Sequence, residues 1–392
     1  MNFKVFFLPL LLLSISLCAQ TNSQNLDERF QKIYKQSDFP GFAVGVIKND
    51  SILFSKAYGY ADVGRKTPFT AQTIMPVASI SKTMIALALV KAFELNYFNE
   101  ETAINDILPF EVINPYRPKD IIKIKHLFTH TSGIIDFEDT FIKSYHLGKK
   151  HDQSLADFLR DCLSKTGKSY SKKNFNKAPV GSTYSYSNIA SALAAYLIEV
   201  KANMSFDEFT QKYIFQPLNL SDTHWFYDEQ LAGRYATLYE INKPNYPFYK
   251  DLVNEDKSVK IYSSITYPDG SLKTSLQDLI KYVKVLVTSP YGSSKILVSE
   301  SLNKLFKKQF DANNLPQNLT KNTINQGMFW SYNSKGRLTH TGSDPGVFAV
   351  ISIELKSNIG RIVLINANIE TENNQKILED LKAIAETLEF FN

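Results

Sequence analysis

Strand-forming residues cluster at the two ends of this chain while helical periodicity fills its middle, so any sheet must be closed by segments from opposite ends. Near the start, Phe42 to Lys48 and Ile52 to Tyr60 are β-rich runs on either side of Asn49-Asp50-Ser51, the signature of a hairpin. Near the end, Met328 to Asn333, Leu338 to Thr341, Phe348 to Leu355 and Arg361 to Asn366 read as strands, with Ser357-Asn358-Ile359-Gly360 as a turn. An amphipathic helix from Leu26 to Gln36 precedes the first run and stops at Pro40-Gly41; a closing helix covers Gln375 to Phe390. Between them, Ser154 to Leu163, Ile189 to Lys201, Ser205 to Ile214 and Ser275 to Val287 carry helical patterns. The expected fold class is α/β in the α+β sense: an antiparallel sheet flanked by N- and C-terminal helices, with a mainly helical inserted domain. The α/β part would comprise about residues 26–75 and 262–392, the helical part about 76–261.

Residues Met1 to Ala19 have one early lysine, Lys4, an apolar core from Val5 to Leu13, and small or polar residues before Ala19-Gln20, the pattern of an export leader. Cleavage after Ala19 leaves an N-terminal linker and helix over residues 20–38 and a main domain over 39–392. Cys18 raises lipid attachment as an alternative, which Leu17 disfavours. Without the leader the formal charge falls from +5 to +4 with the loss of Lys4, and Cys162 is the remaining thiol, so stability must come from packing. A mild positive excess without long basic runs does not point to nucleic acid, and no later stretch has eighteen continuous apolar residues, so no membrane span is expected. The expected location is outside the cytoplasm, periplasmic or secreted.

Three stretches carry chemistry. The first is Pro76-Val77-Ala78-Ser79-Ile80-Ser81-Lys82, which opens an apolar run from Met84 to Leu95 with the character of a fully buried helix. Spacing of three on a helix puts Ser79 and Lys82 on one face, and Pro76 suits a first turn. There Ser79 can attack a carbonyl and a desolvated Lys82 can act as base. Ser-x-x-Lys also occurs at Ser169 to Lys172, in a polar, loop-like stretch, and at Ser301 to Lys304, on an ordinary amphipathic segment; only Ser79 opens a buried helix. The second is Tyr186-Ser187-Asn188, leading into the helix near Ile189, where a phenol and an amide can point to one side. Its structural alternative is a helix cap with a packed tyrosine. The third is His340-Thr341-Gly342-Ser343-Asp344-Pro345-Gly346 between two strands, where glycine allows close approach and an extended edge can pair with a peptide-like substrate.

Together and in this order, the three motifs resemble the serine β-lactamase and penicillin-binding protein superfamily, whose signatures run Ser-x-x-Lys, Tyr-x-Asn and Lys/His-Thr/Ser-Gly. Tyr186 and His340 make the chain look more like the class C β-lactamase branch, which includes D-amino-acid peptidases and carboxylesterases. Leu127 to Ile134, Phe215-Gln216-Pro217-Leu218 and Gly270-Ser271-Leu272 look similar too, so the likeness covers roughly Phe39 to the C-terminus. A literal Lys165-Thr166-Gly167 precedes Tyr186 and reads as a helix C-cap and a loop, so the histidine version is the third motif.

The resemblance implies a β-lactamase/transpeptidase-like fold and a serine hydrolase that works through an acyl-enzyme. Its catalytic residues would be Ser79, Lys82 and Tyr186, with Lys82 and Tyr186 exchanging the serine proton. Asn188, His340, Thr341, Gly342 and Ser343 would bind substrate, the N–H groups of Ser79 and Ser343 forming an oxyanion hole. The substrate would be a small molecule or peptide, including cell-wall peptide: a D-alanyl peptide, a β-lactam or an ester. A penicillin-binding sensor or scaffold without turnover is the alternative.

Other chemistries are less well supported. No Gly-x-Ser-x-Gly occurs, and the six histidines form no His-Glu-x-x-His, so neither a cofactor nor a metal is expected. His130, in Thr129-His130-Thr131-Ser132-Gly133, reads as a hydrogen-bonding structural residue rather than a base.

Overall fold

The computed structural model describes residues 24–241, 251–288, 296–319, 322–369 and 374–391. The expected leader, residues 1–19 with Cys18, lies outside the described residues.

Helix α1 (residues 24–36) leads into β1 (Gly41–Lys48), which turns at Asn49-Asp50 into β2 (Ser51–Asp62), as the hairpin pattern predicts. A short β3 (Thr67–Pro68) follows, then β4 (Ile74–Pro76). Pro76 therefore ends a strand instead of opening a helix; β4 pairs with the later β8 (Lys273–Ser275), Pro76 opposite Lys273. Between β4 and β8 come the buried helix α2 (Ser81–Glu94) and, in the middle of the chain, α3 (Leu155–Leu163), α4 (Asn188–Ala202) and α5 (Phe206–Thr210). Two short strands, β5 (Tyr145–Leu147) and β7 (Tyr262–Ser264), pair with each other, and β6 (Tyr239–Glu240) pairs with the C-terminal β14 (Ala367–Asn368). Ser154, Ser187 and Ser205 cap α3, α4 and α5 by each accepting the N–H group three residues on.

After α6 (Leu276–Thr288) and α7 (Ser299–Phe306) come β9 (Thr323–Gln326), β10 (Ser331–Asn333), β11 (Leu338–Asp344), β12 (Val347–Glu354) and β13 (Ile359–Ile365), and then α8 (Gln375–Leu388). The main sheet has the order β3-β2-β1-β13-β12-β11-β10-β9, every neighbouring pair antiparallel. The chain ends meet at its centre, Phe42 opposite Ile365. Period-two alternation sends Phe42, Val44 and Val46 to one face, where Phe30 of α1 and Ile377, Ile384 and Leu388 of α8 cover them. On the other face Ala43 and Ile47 join the large core with α2, α4 and α6. Gly45 lets α6 close in, since a Cβ there would lie 3.0 Å from Leu276 Cδ1.

Two strand expectations shift. Met328 to Asn333 is not one strand: Gly327 N–H bonds Trp330 O at 2.7 Å and Phe329 has φ of 54°, making a tight turn between β9 and β10. The strand β9, Thr-Ile-Asn-Gln, lacks apolar alternation because Asn325 and Gln326 are buried through side-chain hydrogen bonds. The turn expected at Ser357 to Gly360 lies at residues 355–358, with Asn358 in the left-handed region and Ile359 already paired in β13. Among the described residues no helix is long and apolar enough to cross a membrane.

Phe42 is fully buried between α1 and the sheet, its ring centre 5.0 Å from that of Tyr58 and 6.4 Å from that of Phe30. Phe42→Ala should lower the unfolding free energy by about 3–5 kcal/mol, read from the shift in the denaturant midpoint at unchanged slope.

Candidate active site

Ser79 is presented by a strained turn. From β4 the chain continues to Val77, whose N–H bonds Leu272 O at 2.9 Å, and then to Ala78 at φ of 46°, a left-handed conformation that side chains disfavour. A 3₁₀ turn, Ala78–Ile80, feeds directly into α2. Ser81 pins the turn: its hydroxyl donates to Ala78 O at 2.6 Å and accepts Leu272 N–H at 3.0 Å. Since α2 is buried on all sides from Ser81 to Val90, the turn cannot relax into solvent.

Lys82 is fully buried, and its ammonium donates to Ser79 Oγ at 3.1 Å, Asn188 Oδ1 at 2.6 Å and Asp269 O at 2.7 Å. The three positions expected from the first two motifs therefore converge on one nitrogen. The phenol oxygen of Tyr186 is not among its partners; the nitrogen lies 5.0 Å from the centre of the Tyr186 ring. The direct Lys82–Tyr186 proton exchange expected from sequence thus has no hydrogen bond of its own here, because Asn188 and Asp269 take the remaining donors. Asn188 Oδ1 is correspondingly committed to Lys82.

Asp136, absent from the sequence expectations, holds the second motif. Its carboxylate accepts Ser187 Oγ–H at 2.8 Å, Asn188 N–H at 2.7 Å and Ile189 N–H at 3.0 Å. Burial raises this carboxyl, while these donors and the charge of Lys82 oppose the rise. The signal was available in Ile134-Ile135-Asp136-Phe137: an acid set among apolar residues needs donors once it is enclosed. In Tyr186-Ser187-Asn188, Ser187 caps α4 while Tyr186 and Asn188 line the cleft.

The third motif lies on β11, where Gly342 is obligatory: a Cβ there would sit 2.1 Å from Val77 O. This close approach seats β11 against the Ser79 turn. On its other side β11 pairs with β10 only at Leu338 and Thr339, so from His340 onward that edge has no strand partner among the described residues. His340 Nδ1 lies 2.8 Å from Thr341 O, and burial pushes the imidazole down to about 4, with the charge of Lys82 adding to the effect. At neutral pH the ring is uncharged. Next along, Ser343 Oγ donates to Asn368 Oδ1 at 3.3 Å, and Asp344 accepts Tyr145 and Tyr262 hydroxyls at 3.1 and 2.9 Å, tying the β5–β7 ribbon to the end of β11. Burial raises Asp344 to about 6 and the enclosed Asp269 to about 7.

Ser79, Tyr186, Asn188, His340, Thr341 and Ser343 all line one cleft of about 450 Å³, with Lys82 beneath it and Gly342 at its backbone wall. Competing motifs lie elsewhere. Ser301 is buried on α7 against Glu94, with Lys304 exposed, and Ser171 caps a 3₁₀ turn. Gly167 is not the cap of α3, which is Ser164; it packs over the carbonyls of Arg160 and Asp161, where no side chain fits. Among the described residues no group of three His, Cys, Asp or Glu side chains is placed to hold a metal ion.

Residues 26–385 match the Beta-lactamase family. The chain therefore belongs to that family, within the superfamily of serine hydrolases that holds β-lactamases and penicillin-binding proteins. Among particular relatives, it is 24% identical over 371 residues to penicillin-binding protein 4* of Bacillus subtilis, covering 92% of this chain and 75% of that protein. It is 23% identical to protein flp of Staphylococcus aureus, covering 92% of this chain and 66% of the relative. The fold resembles a β-lactamase/D-alanine carboxypeptidase from Yersinia pestis (TM-score 0.71, 17% identity, 94% and 99% of the two chains). It also resembles an octameric penicillin-binding protein homologue from Pyrococcus abyssi (TM-score 0.65, 20% identity, 88% and 73%). The expected superfamily and its fold are thereby borne out.

The contact at Gly342 gives a direct test. Gly342→Ala must push β11 away from Val77, and a displacement of about 1 Å costs on the order of a hundredfold in rate. Labelling of the variant by a fluorophosphonate should slow by that factor while its far-ultraviolet circular dichroism stays unchanged.

Proposed function

We propose that the protein is an exported serine hydrolase that cleaves an amide or ester through an acyl-enzyme on Ser79, the substrate class spanning D-alanyl peptides, β-lactams and carboxylic esters. The observation that carries this reading is the Lys82 nitrogen held between Ser79 Oγ, Asn188 Oδ1 and Asp269 O. Two of those partners can only accept, whereas the serine hydroxyl can reverse its role. A neutral amine at this point would use its two N–H bonds on Asn188 and Asp269 and turn its lone pair to Ser79. The site therefore accommodates both protonation states of Lys82 without leaving a polar group unpaired, which is the requirement on a base that takes a proton and returns it.

In the proposed reaction the Ser79 proton passes to Lys82 as Oγ bonds to the carbonyl carbon. The resulting oxyanion faces the N–H groups of Ser79 and Ser343. The carbon–leaving-group bond then breaks, with Tyr186 giving its phenolic proton to the departing atom and regaining one from Lys82, a return that requires the phenol to turn onto the nitrogen now 5.0 Å from its ring centre. Water repeats the sequence to release the acyl group. Substrate lies along the unpaired edge of β11, between Thr341 and Asn188. Export rests on the pattern of residues 1–19.

The decisive test is labelling with a fluorescent penicillin and a fluorophosphonate, with the adduct located by mass spectrometry, beside Ser79→Ala. An adduct on Ser79, loss of labelling in the variant and multiple turnovers are expected. Labelling of another serine ends the proposal, and an acyl-enzyme that persists for hours without product favours a sensor or scaffold.

The uncharged His340 adds a second expectation. Its charge is gained only as pH falls through about 4, so KM for a substrate bearing a free carboxylate should not change from this group between pH 6 and 8. His340→Lys should lower that KM about tenfold, the scale of one charge-assisted hydrogen bond, and leave KM for the matching amide unchanged.

A further inference from the structure

Tyr186 is 39% exposed and belongs to a segment, residues 184–187, without regular structure. A general acid must nevertheless sit within hydrogen-bond reach of the atom it protonates. Besides the Lys82 nitrogen, the ring packs on a residue distant in sequence, His130. The imidazole lies under the phenol with ring centres 4.4 Å apart and planes tilted by 33°. His130 also suspends the residues on either side: its carbonyl accepts Ser185 N–H at 2.7 Å, and its Nδ1 accepts Ser187 N–H at 3.2 Å. Three successive residues, Ser185 to Ser187, thus hang on one side chain and its own peptide.

The histidine is itself fixed. It is buried, stands in the left-handed region at φ of 55°, and meets the edges of Tyr184 and Phe329 with ring centres 5.8 and 5.4 Å away. Because Nδ1 accepts a hydrogen bond, the ring proton is on Nε2. Burial keeps the imidazole uncharged, and the positive charge of Lys82 acts in the same direction. An imidazolium could not accept the Ser187 N–H.

We infer that His130 is a positioning residue for Tyr186, its neutral ring forming the platform that aims the phenol at the leaving group. The inference rests on the acyl-transfer reading of Ser79 and adds to it the means by which the proton donor is set. It predicts a selective defect. Opening a penicillin requires a proton on the ring nitrogen, whereas a fluorophosphonate expels fluoride, which needs none. A change that acts only through Tyr186 must slow the first reaction and spare the second.

The test measures labelling rates of both probes for wild type, His130→Asn, His130→Phe, Tyr186→Phe and the double variant His130→Asn/Tyr186→Phe, with the melting temperature of each. Asparagine tolerates a left-handed backbone and places an acceptor near Nδ1, so it removes the ring contact with little else. Penicillin labelling by His130→Asn should slow more than tenfold and fluorophosphonate labelling less than threefold. In the Tyr186→Phe background the same substitution should add less than a twofold further loss, because residues acting as one unit are not additive. His130→Phe restores the aromatic face without the Nδ1 acceptor, so it should recover part of the lost penicillin rate and leave fluorophosphonate labelling within threefold of wild type, a selectivity that also decides the matter if the asparagine variant unfolds. Equal slowing of both probes, or full additivity in the double variant, overturns the role of His130 and leaves the hydrolase reading standing. Absence of any Ser79 adduct in the wild type overturns both.

Discussion

The site depends on one buried nitrogen. Lys82 lies below the surface of the cleft, where an unpaired ammonium would cost several kcal/mol, and its three partners come from three separate segments. Ser79 belongs to the turn before α2, Asn188 to the start of α4, and Asp269 to a short 3₁₀ turn before β8. Satisfying Lys82 therefore fixes those segments relative to each other. The same contacts fix the Ser79 hydroxyl beside the Lys82 nitrogen, so the burial that makes the lysine expensive also assembles the site around it. Asp136 completes the arrangement by gathering the N–H groups at the start of α4, opposite the charge of Lys82.

A second constraint is steric. The left-handed Ala78 and the missing side chain at Gly342 let the Ser79 turn and β11 meet at a distance that a side chain at position 342 would not allow. Because β11 is joined through β12 and β13 to β1, the position of the third motif is inherited from a sheet whose middle is closed by both chain ends. The helices α1 and α8 stabilise that sheet from the face away from the cleft. Packing remote from the chemistry thus sets the spacing between Ser79 and His340, which explains why a fold that devotes so much of its chain to ordinary core is needed to place a few groups.

Much of this was legible in the sequence because its determinants are local. Ser79 and Lys82 are one helical turn apart, Tyr186 and Asn188 flank a capping serine, and the strands β1, β12 and β13 alternate or run apolar as buried strands do. What escaped has no local signature. The Asp269 partner of Lys82 is a backbone carbonyl, which every residue possesses. Strand β9 is polar because it buries amides in side-chain hydrogen bonds. Pro76 looks like a helix opener until the distant β8 pairs with its strand. Asp136 and His130 each act across some fifty residues of sequence, on partners that only the folded chain brings near.

The charge on the cleft follows from the same enclosure. His340 is the position at which the third motif would present a cation, and burial beside Lys82 removes that charge at neutral pH. Lys273, the other fully enclosed lysine near this strand, is pushed by burial down to about 7 and spends its donors on the carbonyls of Trp225 and Ser271. Asp344, at the end of β11, turns its carboxylate to two tyrosine hydroxyls. The charged side chains around Ser79 are thereby used to hold the protein to itself. What β11 leaves open to the cleft is a backbone edge without a strand partner among the described residues, with the hydroxyls of Thr341 and Ser343; under the proposed function, recognition along it would depend on hydrogen-bond direction and shape more than on net charge. The β5–β7 ribbon is fastened to the end of β11 through Asp344, so the same carboxylate that closes the strand also fixes the ribbon beside it.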